Sequence, residues 1–169
     1  TDYFRSPDGS VVNNSAVIFT EVDNTKPFTF TAKVQPEFTE TGTYSAGVIY
    51  AYENDTHCQK LCFEQDEYGD HRVVSVRTLG TSDDNNHQAI TAPYVYMRLS
   101  SDGTTLGSYF SEDGKIWRMA RLYKNDFPEK LLIGISSQSP KDNEHTCLFT
   151  EVSLTDKPVA DFRKGNIAE

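Results

Sequence analysis

The sequence is divided into short runs in which apolar and polar residues alternate, and turn-forming residues separate these runs. No segment longer than about ten residues repeats its apolar positions with a helical period. Alternation with a period of two places every second side chain on one face of a β-strand. The predicted strands are Ala16–Val22, Phe28–Val34, Tyr44–Tyr52, Cys58–Gln65, Val73–Leu79, Tyr94–Ser100, Thr105–Ser111, Trp117–Tyr123, Leu131–Ser137 and Cys147–Leu154. So many strands predict an all-β sandwich or barrel in which helices are minor.

Turn-forming residues indicate which of the predicted strands are neighbours. Asp102-Gly103 and Asp113-Gly114 place glycine where a tight turn requires a positive φ, so residues 94–123 are predicted to form a three-stranded meander. The polar segment Gly80–Ala92 is predicted to be the longest loop, where function often resides. No internal repeat, linker or low-complexity tract interrupts the chain, which predicts a single domain over residues 1–169.

Charge and hydropathy exclude two classes of partner. The formal net charge of the 169-residue chain is −9, so its field repels phosphate backbones and anionic lipid surfaces. No apolar run approaches the roughly 18 residues of a membrane span. We therefore expect neither nucleic acid nor membrane as a partner.

The cysteines give an expectation about compartment. Cys58 and Cys62 lie four residues apart in one predicted strand, about 13 Å and beyond disulfide reach. An odd count of three thiols favours a reducing compartment, which predicts a cytoplasmic protein with thiols that fill the core. The alternative, a metal site completed by His57 and His145, lacks the paired spacing typical of such sites.

A set of polar and aromatic side chains is predicted to share a surface. Alternation places Lys60 with Glu64, and Tyr96 with Arg98, on the polar faces of their strands, and Tyr109 on that of a neighbouring strand. If these strands belong to one sheet, its outer face combines aromatic rings with charged groups. Such faces bind sugars, because rings stack on a pyranose while polar groups bond its hydroxyls.

Four segments in a fixed order carry a resemblance to a known family. They are KLCFE (Lys60–Glu64), VSVRTLGTSDD (Val74–Asp84), YFSEDGKIW (Tyr109–Trp117) and QSP (Gln138–Pro140). Along nearly its whole length the chain resembles the family of domains of unknown function that includes the yeast "regulation of enolase" protein. The resemblance implies a concanavalin A-like fold, a two-sheet antiparallel jelly-roll sandwich whose concave sheet holds a ligand. It implies no particular substrate.

The resemblance also implies site residues. The positions that similar members tend to share are Lys60, Glu64, Ser75, Thr78, Ser82, Asp83, Arg98 and Gln138. Arg77, Tyr96 and Tyr109 complete the predicted ligand-binding set. Many members carry a tryptophan just before the lysine strand, where this chain has His57 or Cys58, so a stacking platform is missing at that end.

Two acidic patterns have alternative interpretations. Glu64 with Asp83 or Asp84 suits the carboxylate pair of a glycosidase, whereas the structural alternative pairs Glu64 with Lys60 or with Arg98. The E-x-D-x-x-E motif of glucanases with this fold is absent, since Glu21-Val22-Asp23 is not followed by the second Glu. The run 82–86 could supply oxygen ligands to Ca²⁺, although it is more typical of a turn.

Three functions remain open at this stage. The leading hypothesis is a noncatalytic domain that binds a carbohydrate or similar polyhydroxylated molecule, with no metal and no cofactor. The first alternative is a glycoside-active enzyme that uses Glu64 and Asp83. The second is a protein-interaction module that regulates a metabolic enzyme, an analogy drawn from the family.

Overall fold

The computed structural model describes residues 1–141 and 144–168, and this part of the chain contains thirteen strands and no helix. The strands are β1 (Tyr3–Arg5), β2 (Val11–Asn13), β3 (Val17–Asp23), β4 (Phe28–Pro36), β5 (Ala46–Asn54), β6 (His57–Gln65), β7 (His71–Leu79), β8 (Thr81–Ala89), β9 (Val95–Ser101), β10 (Thr105–Ser111), β11 (Arg118–Lys124), β12 (Lys130–Gln138) and β13 (Cys147–Thr155). Accordingly, the described residues offer no helix long and apolar enough to cross a membrane.

The strands form two antiparallel sheets and one small hairpin. The six-stranded sheet has the order β3-β12-β5-β6-β7-β8, and the five-stranded sheet has the order β11-β10-β9-β4-β13. The hairpin consists of β1 and β2. This arrangement confirms the predicted all-β, two-sheet antiparallel sandwich. The predicted meander is confirmed as β9-β10-β11, with Gly103 and Gly114 at φ 92° and 72° in its two turns.

The main core lies between the two sheets. One face of β4 supplies Phe28, Phe30, Ala32 and Val34, all buried. The other fully or nearly fully buried members come from both sheets and two loops: Ile49, Ala51, Leu61, Phe63, Val73, Ile90, Val95, Met97, Leu99, Leu106, Phe110, Phe127, Leu131 and Ile133. Removing this much apolar surface from water is the main stabilising contribution to the fold.

A second apolar cluster covers the outer face of the six-stranded sheet. Its buried members are Ala46, Val48, Tyr50, Cys62, Val74 and Val76. Tyr3 and Phe4 of the small hairpin pack against it. The centre of this sheet is therefore buried on both faces, and β5 carries six consecutive buried residues from Ala46 to Ala51.

The predicted loop Gly80–Ala92 is mostly strand, and this prediction is wrong. Residues Thr81–Ala89 form β8, which pairs with β7 along its length. β8 is the edge of its sheet, so most of its side chains face solvent and none is required to be apolar. An edge strand of this kind lacks the alternation by which strands are recognised in sequence.

β13 forms the edge of the five-stranded sheet and contains a β-bulge. Thr150 pairs with Lys33 and Ser153 pairs with Thr31, so β13 has one residue more than β4 over this stretch. Glu151 lies in the bulge with φ 51°, a backbone conformation that residues other than glycine seldom adopt.

The cysteines are all free thiols, with Cys58 and Cys62 buried and Cys147 half-buried. Burial raises the pKa of the Cys58 and Cys62 thiols, so both are protonated at neutral pH. They fill space in the outer face of β6, as predicted.

Replacing a leucine of the inter-sheet core should be far more costly than replacing one outside it. We expect Leu99→Ala to lower the free energy of unfolding by about 2–5 kcal/mol, since Leu99 is fully buried and its loss leaves a cavity. Leu79→Ala, at a strand residue that is 61% exposed, should change it by no more than about 0.5 kcal/mol. Urea unfolding followed by circular dichroism measures both, and equal losses would contradict this assignment of the core.

Candidate functional site

A pocket of about 430 Å³ lies on the outer face of the six-stranded sheet, beside the small hairpin. β6, β7 and β8 form its floor, because Lys60 pairs with Val76 and Val76 with Asp84, which places the three side chains in one row. The hairpin forms one wall. The lining residues are Asp2, Phe4, Val12, Tyr44, Lys60, Glu64, Glu67, Val74, Val76, Asp84, Asn86, Pro140 and Lys141.

Lys60 is the buried cation of this pocket. Its ammonium group donates hydrogen bonds to the carboxylate of Asp2 and, at 3.2 Å, to Oε1 of Gln138. Burial alone would lower the pKa of Lys60, but the Asp2 carboxylate outweighs it and raises that pKa above the ordinary value. Lys60 therefore remains charged, and Gln138, itself buried, helps to orient it.

Two predicted site residues hold the hairpin over the sheet. The backbone N–H of Arg5 donates to Oγ of Ser82 at 2.9 Å, and the Ser82 hydroxyl lies 2.8 Å from that of Thr78. Both hydroxyl side chains are buried. Asp55 adds an ion pair with the Arg5 side chain at 3.4 Å. In this structure Thr78 and Ser82 bind the hairpin that forms the pocket wall.

Glu64 is half-buried in the pocket, and its carboxyl group accepts no hydrogen bond from residues 1–141 or 144–168. Burial raises its pKa to about 8; Lys60 opposes this shift, while the carboxylates of Asp84 and Asp2 add to it. Partial desolvation likewise raises the pKa of Asp84. The predicted pairing of Glu64 with Lys60 or Arg98 is wrong, because Lys60 pairs with Asp2 and Arg98 lies on the other sheet.

The predicted catalytic pair of Glu64 and Asp83 is not assembled. Asp83 pairs with Arg77 in the β7–β8 register and points to the opposite face of the sheet from Asp84. Its carboxylate forms an ion pair with Arg121 at 2.9 Å, and the hydrogen bond from Arg121 lowers the pKa of Asp83. The adjacent Asp84, rather than Asp83, shares the pocket with Glu64.

Three of the predicted ligand-binding residues do not share a face with Lys60 and Glu64, so that prediction is wrong. They lie on the five-stranded sheet and are Tyr96, Arg98 and Tyr109. Arg98 donates to the carbonyl of Gly165 at 2.6 Å, and the hydroxyl of Tyr109 donates to the carbonyl of Phe162 at 2.8 Å. The C-terminal segment 158–168 therefore covers both side chains. Tyr96 lies beside them and donates to Glu151 at 3.2 Å.

Arg98 and Tyr109 stabilise the covering segment rather than lining an open surface. The guanidinium of Arg98 also stacks on the ring of Trp117, 3.6 Å from its centroid, and donates to Thr31. Gly165 packs directly on the ring of Tyr109, where a Cβ atom would collide with it. These contacts account for both side chains structurally.

Ser75 and Arg77 line neither of these outer faces. Ser75 is buried and accepts a hydrogen bond from Nε of Arg121 at 2.9 Å. Arg77 forms an ion pair with Asp126 and stacks on Tyr123, with 4.1 Å between its guanidinium carbon and the ring centroid. Both belong to the edge of the sandwich, on the side opposite to the Glu64 pocket.

The run 82–86 does not gather ligands for calcium. It lies within β8, so successive side chains point to opposite faces of the sheet. The described residues contain no group of three or more His, Cys, Asp or Glu side chains that could hold a metal ion.

Sequence reasoning missed several residues that line the pocket, among them Asp2, Phe4, Tyr44 and Asn86. Asn86 shares a face with Asp84 only because residues 81–89 form a strand, which the polar sequence of β8 does not indicate. Asp2 and Phe4 reach the pocket only because the N-terminal hairpin packs beside it. No local sequence pattern predicts that packing.

The fold defines an all-β domain, a two-sheet antiparallel jelly-roll sandwich. Residues 1–157 match the family described as protein of unknown function DUF1349, and the chain belongs to that family. A comparison with the curated proteins finds no match.

Solved structures support the same fold. The chain is similar to a functionally unknown protein from Saccharomyces cerevisiae, at 25% identity and a TM-score of 0.82, covering 92% of this chain and 83% of that one. It is similar to a xylan β-1,4-xylosidase from Bacillus halodurans at 14% identity and a TM-score of 0.68, covering 83% of this chain but 30% of that one. An alginate lyase from Pseudomonas aeruginosa gives 11% identity and a TM-score of 0.52, with coverage of 79% and 66%. The last two likenesses concern the fold alone.

The buried pair of Lys60 and Asp2 should respond differently to single and double substitution. We expect Asp2→Ala to lower the free energy of unfolding by about 3–5 kcal/mol, because it leaves the Lys60 ammonium buried without a counter-charge. Adding Lys60→Met should restore most of that loss, since an apolar side chain of similar volume needs no partner.

The control for this cycle is Glu21→Ala. It removes the exposed pair with Lys130 and should cost less than about 1 kcal/mol. Chemical denaturation of the wild type and these three variants measures the differences. A double variant no more stable than Asp2→Ala would contradict the burial of an obligatory ion pair.

The protonated Glu64 should make stability depend on pH. The pKa of Glu64 is about 8 in the folded chain against 4.5 for an ordinary glutamate, so the folded form binds the proton more tightly. Its contribution to stability therefore falls as pH rises from 4.5 to 8. Glu64→Gln does not titrate, so we expect its stability relative to the wild type to increase across this window.

Urea unfolding at a series of pH values tests this, with about 1.4 kcal/mol expected for each pKa unit of difference. Glu129→Gln, at an exposed position in the loop before β12, serves as the matched control and should show a difference that stays constant within about 0.5 kcal/mol. A constant difference for Glu64→Gln as well would contradict the raised pKa.

Proposed function

We propose that the Glu64 pocket binds a carbohydrate or another small polyhydroxylated molecule without transforming it. Its volume of about 430 Å³ falls within the range of about 300–1,000 Å³ typical of small-ligand sites. Its lining combines apolar side chains with a larger number of polar and charged groups, which suits a ligand rich in hydroxyls.

The observation that carries this proposal is the unpartnered Glu64 carboxyl group. Because no described residue uses this carboxyl group, it is free to bond the hydroxyl groups of a ligand that enters the pocket. Near neutral pH the protonated group can donate one hydrogen bond and accept others, which matches the dual character of a sugar hydroxyl. Asp84 and the amide of Asn86 lie on the same floor and offer further acceptors and donors.

The apolar part of the pocket complements the carbon face of a sugar ring. Phe4, Val12, Val74 and Val76 line it together with the half-buried ring of Tyr44. A pyranose presents C–H groups on one face and hydroxyls around its rim. The pocket offers both kinds of contact, because the valines of β7 lie between the acidic side chains Glu64 of β6 and Asp84 of β8.

Hydrolysis of a glycoside is the second candidate, and one observation favours it. Glu64 has the raised pKa of a general acid, and Asp84 lines the same pocket and could act as the base. Asp83, the partner expected from the sequence, points to the other face of the sheet.

Regulation of a metabolic enzyme through protein contact remains a prediction from the family resemblance. We also propose a cytoplasmic location, supported by the three free thiols.

Calorimetric titration of the full chain with neutral mono- and oligosaccharides and polyols tests the proposal. We expect at least one of them to bind, and Glu64→Leu to weaken that binding about tenfold or more, because the aliphatic side chain forms no hydrogen bond with the ligand. Glu129→Gln, remote from the pocket, should bind like the wild type.

Three outcomes decide between the candidates. Binding without product supports the noncatalytic proposal. Release of reducing sugar that disappears in both Glu64→Gln and Asp84→Asn would replace it with hydrolysis. Absence of binding across the panel, or equal binding by Glu64→Leu and wild type, would exclude the pocket as a sugar site.

A further inference from the structure

A second cleft, of about 450 Å³, opens at the edge of the sandwich where β8 faces β11. Its residues come from both sheets and from the C-terminal segment. Arg77 lies on β7, Arg121 on β11 and Arg163 in the C-terminal segment, and all three line the cleft. It lies on the inner side of the six-stranded sheet, whereas the Glu64 pocket lies on the outer side.

Arg77 lines this cleft and has an unused donor. Nη2 of its guanidinium donates to Asp126, and its planar group stacks on the ring of Tyr123. Its Nε atom is buried and finds no acceptor among the described residues. A buried N–H group without an acceptor is uncommon in folded proteins, and an incoming ligand oxygen would satisfy it.

Arg121 spans the gap between the sheets. From β11 it donates through Nε to Ser75 on β7, and through Nη2 to the backbone carbonyl and carboxylate of Asp83 on β8, each at 2.9 Å. The Asp83 side chain is 74% exposed, so solvent can readily replace it on Arg121. A ligand anion can take the same place without leaving Asp83 desolvated.

Arg163 forms the outer rim of the cleft. Its side chain is exposed and forms no ion pair within residues 1–141 and 144–168. The backbone around it is held in a turn, since its own N–H donates to the carboxylate of Asp161 at 2.7 Å. The guanidinium is thus presented at the mouth of the cleft with its donors unused.

The local charge opposes that of the molecule. Three arginines line the cleft, and two carboxylates meet them, Asp83 on Arg121 and Asp126 on Arg77, while the Asp84 side chain points to the outer pocket. The chain as a whole carries a net charge of −9. Arginine forks match the oxygens of a carboxylate or phosphate in pairs. From these observations we propose that the cleft binds a small ligand through an oxyanion group, held by Arg77, Arg121 and Arg163.

Such an oxyanion can belong to a sugar acid or to a phosphate. Calorimetry of the full chain with D-glucuronate, inorganic phosphate and pyrophosphate, at constant ionic strength, distinguishes the two sources, and D-glucose serves as the uncharged counterpart of glucuronate. We expect one of the anions to bind with an affinity that depends on Arg163, whereas glucose, which can occupy the Glu64 pocket, should show no dependence on Arg163. Tighter binding of glucuronate than of both phosphates assigns a carboxylate ligand, and the reverse order assigns a phosphate.

Matched variants locate the binding. Arg163→Gln should weaken it about tenfold or more, because a charge-assisted contact at the rim is lost. Lys164→Gln removes the same charge from the next, exposed residue outside the cleft and should change affinity less than about twofold. Asp83→Asn should strengthen binding, since the competing carboxylate on Arg121 disappears.

The proposal fails if none of the anions binds. It also fails if Arg163→Gln and Lys164→Gln weaken binding equally, because the effect would then report only general charge. Glu64 lies on the other face of the sheet, so Glu64→Gln should leave anion affinity unchanged. Anion binding in the cleft and sugar binding in the Glu64 pocket can therefore be confirmed or contradicted separately.

Discussion

Burial of the six-stranded sheet on both of its faces is the constraint on which the rest of the structure depends. One face packs against the five-stranded sheet through the inter-sheet core. The other would expose Tyr50, Val48 and their neighbours if the small hairpin did not cover them. The buried Lys60 ammonium sits in that second layer, and its charge is tolerated there because Asp2 of the N-terminal segment meets it. The hairpin thus completes both the apolar cover and the ion pair, and in doing so it forms a wall of the Glu64 pocket.

β8 contributes to both candidate sites, because successive side chains of a strand point to opposite faces of the sheet. Asp84 points outward to the pocket that contains Glu64, and Asp83 points inward to the arginines. Their environments shift their pKa values in opposite directions, since desolvation raises the pKa of Asp84 while Arg121 lowers that of Asp83. Two neighbouring aspartates in a polar run therefore have opposite electrostatic roles.

The fold was largely predictable from sequence, because alternation is a local signal and most strands are at least half-buried. The same signal failed for β8, where an exposed edge removes the need for apolar residues, and for the three-residue strands of the hairpin, which are too short to show a period. The site was less predictable. Lys60 and Glu64 were identified correctly as neighbours on one face, but alternation could not report that Tyr96 and Arg98 belong to the other sheet. The partner of Lys60 lies 58 residues away, and only packing of the hairpin brings it there.

The bulge in β13 has a consequence for how this molecule meets other copies of itself. A sheet edge presents unpaired backbone N–H and C=O groups, and β13 also exposes Leu148 and Val152. A straight nine-residue edge with such side chains would be a template for a strand from another chain. The extra residue around Glu151 shifts the hydrogen-bonding pattern midway, so an incoming strand can match the segment before the bulge or the one after it, but not both. One extra residue thereby divides the unpaired edge of β13 into two short segments. Each segment is too short to pair readily with a strand from another chain.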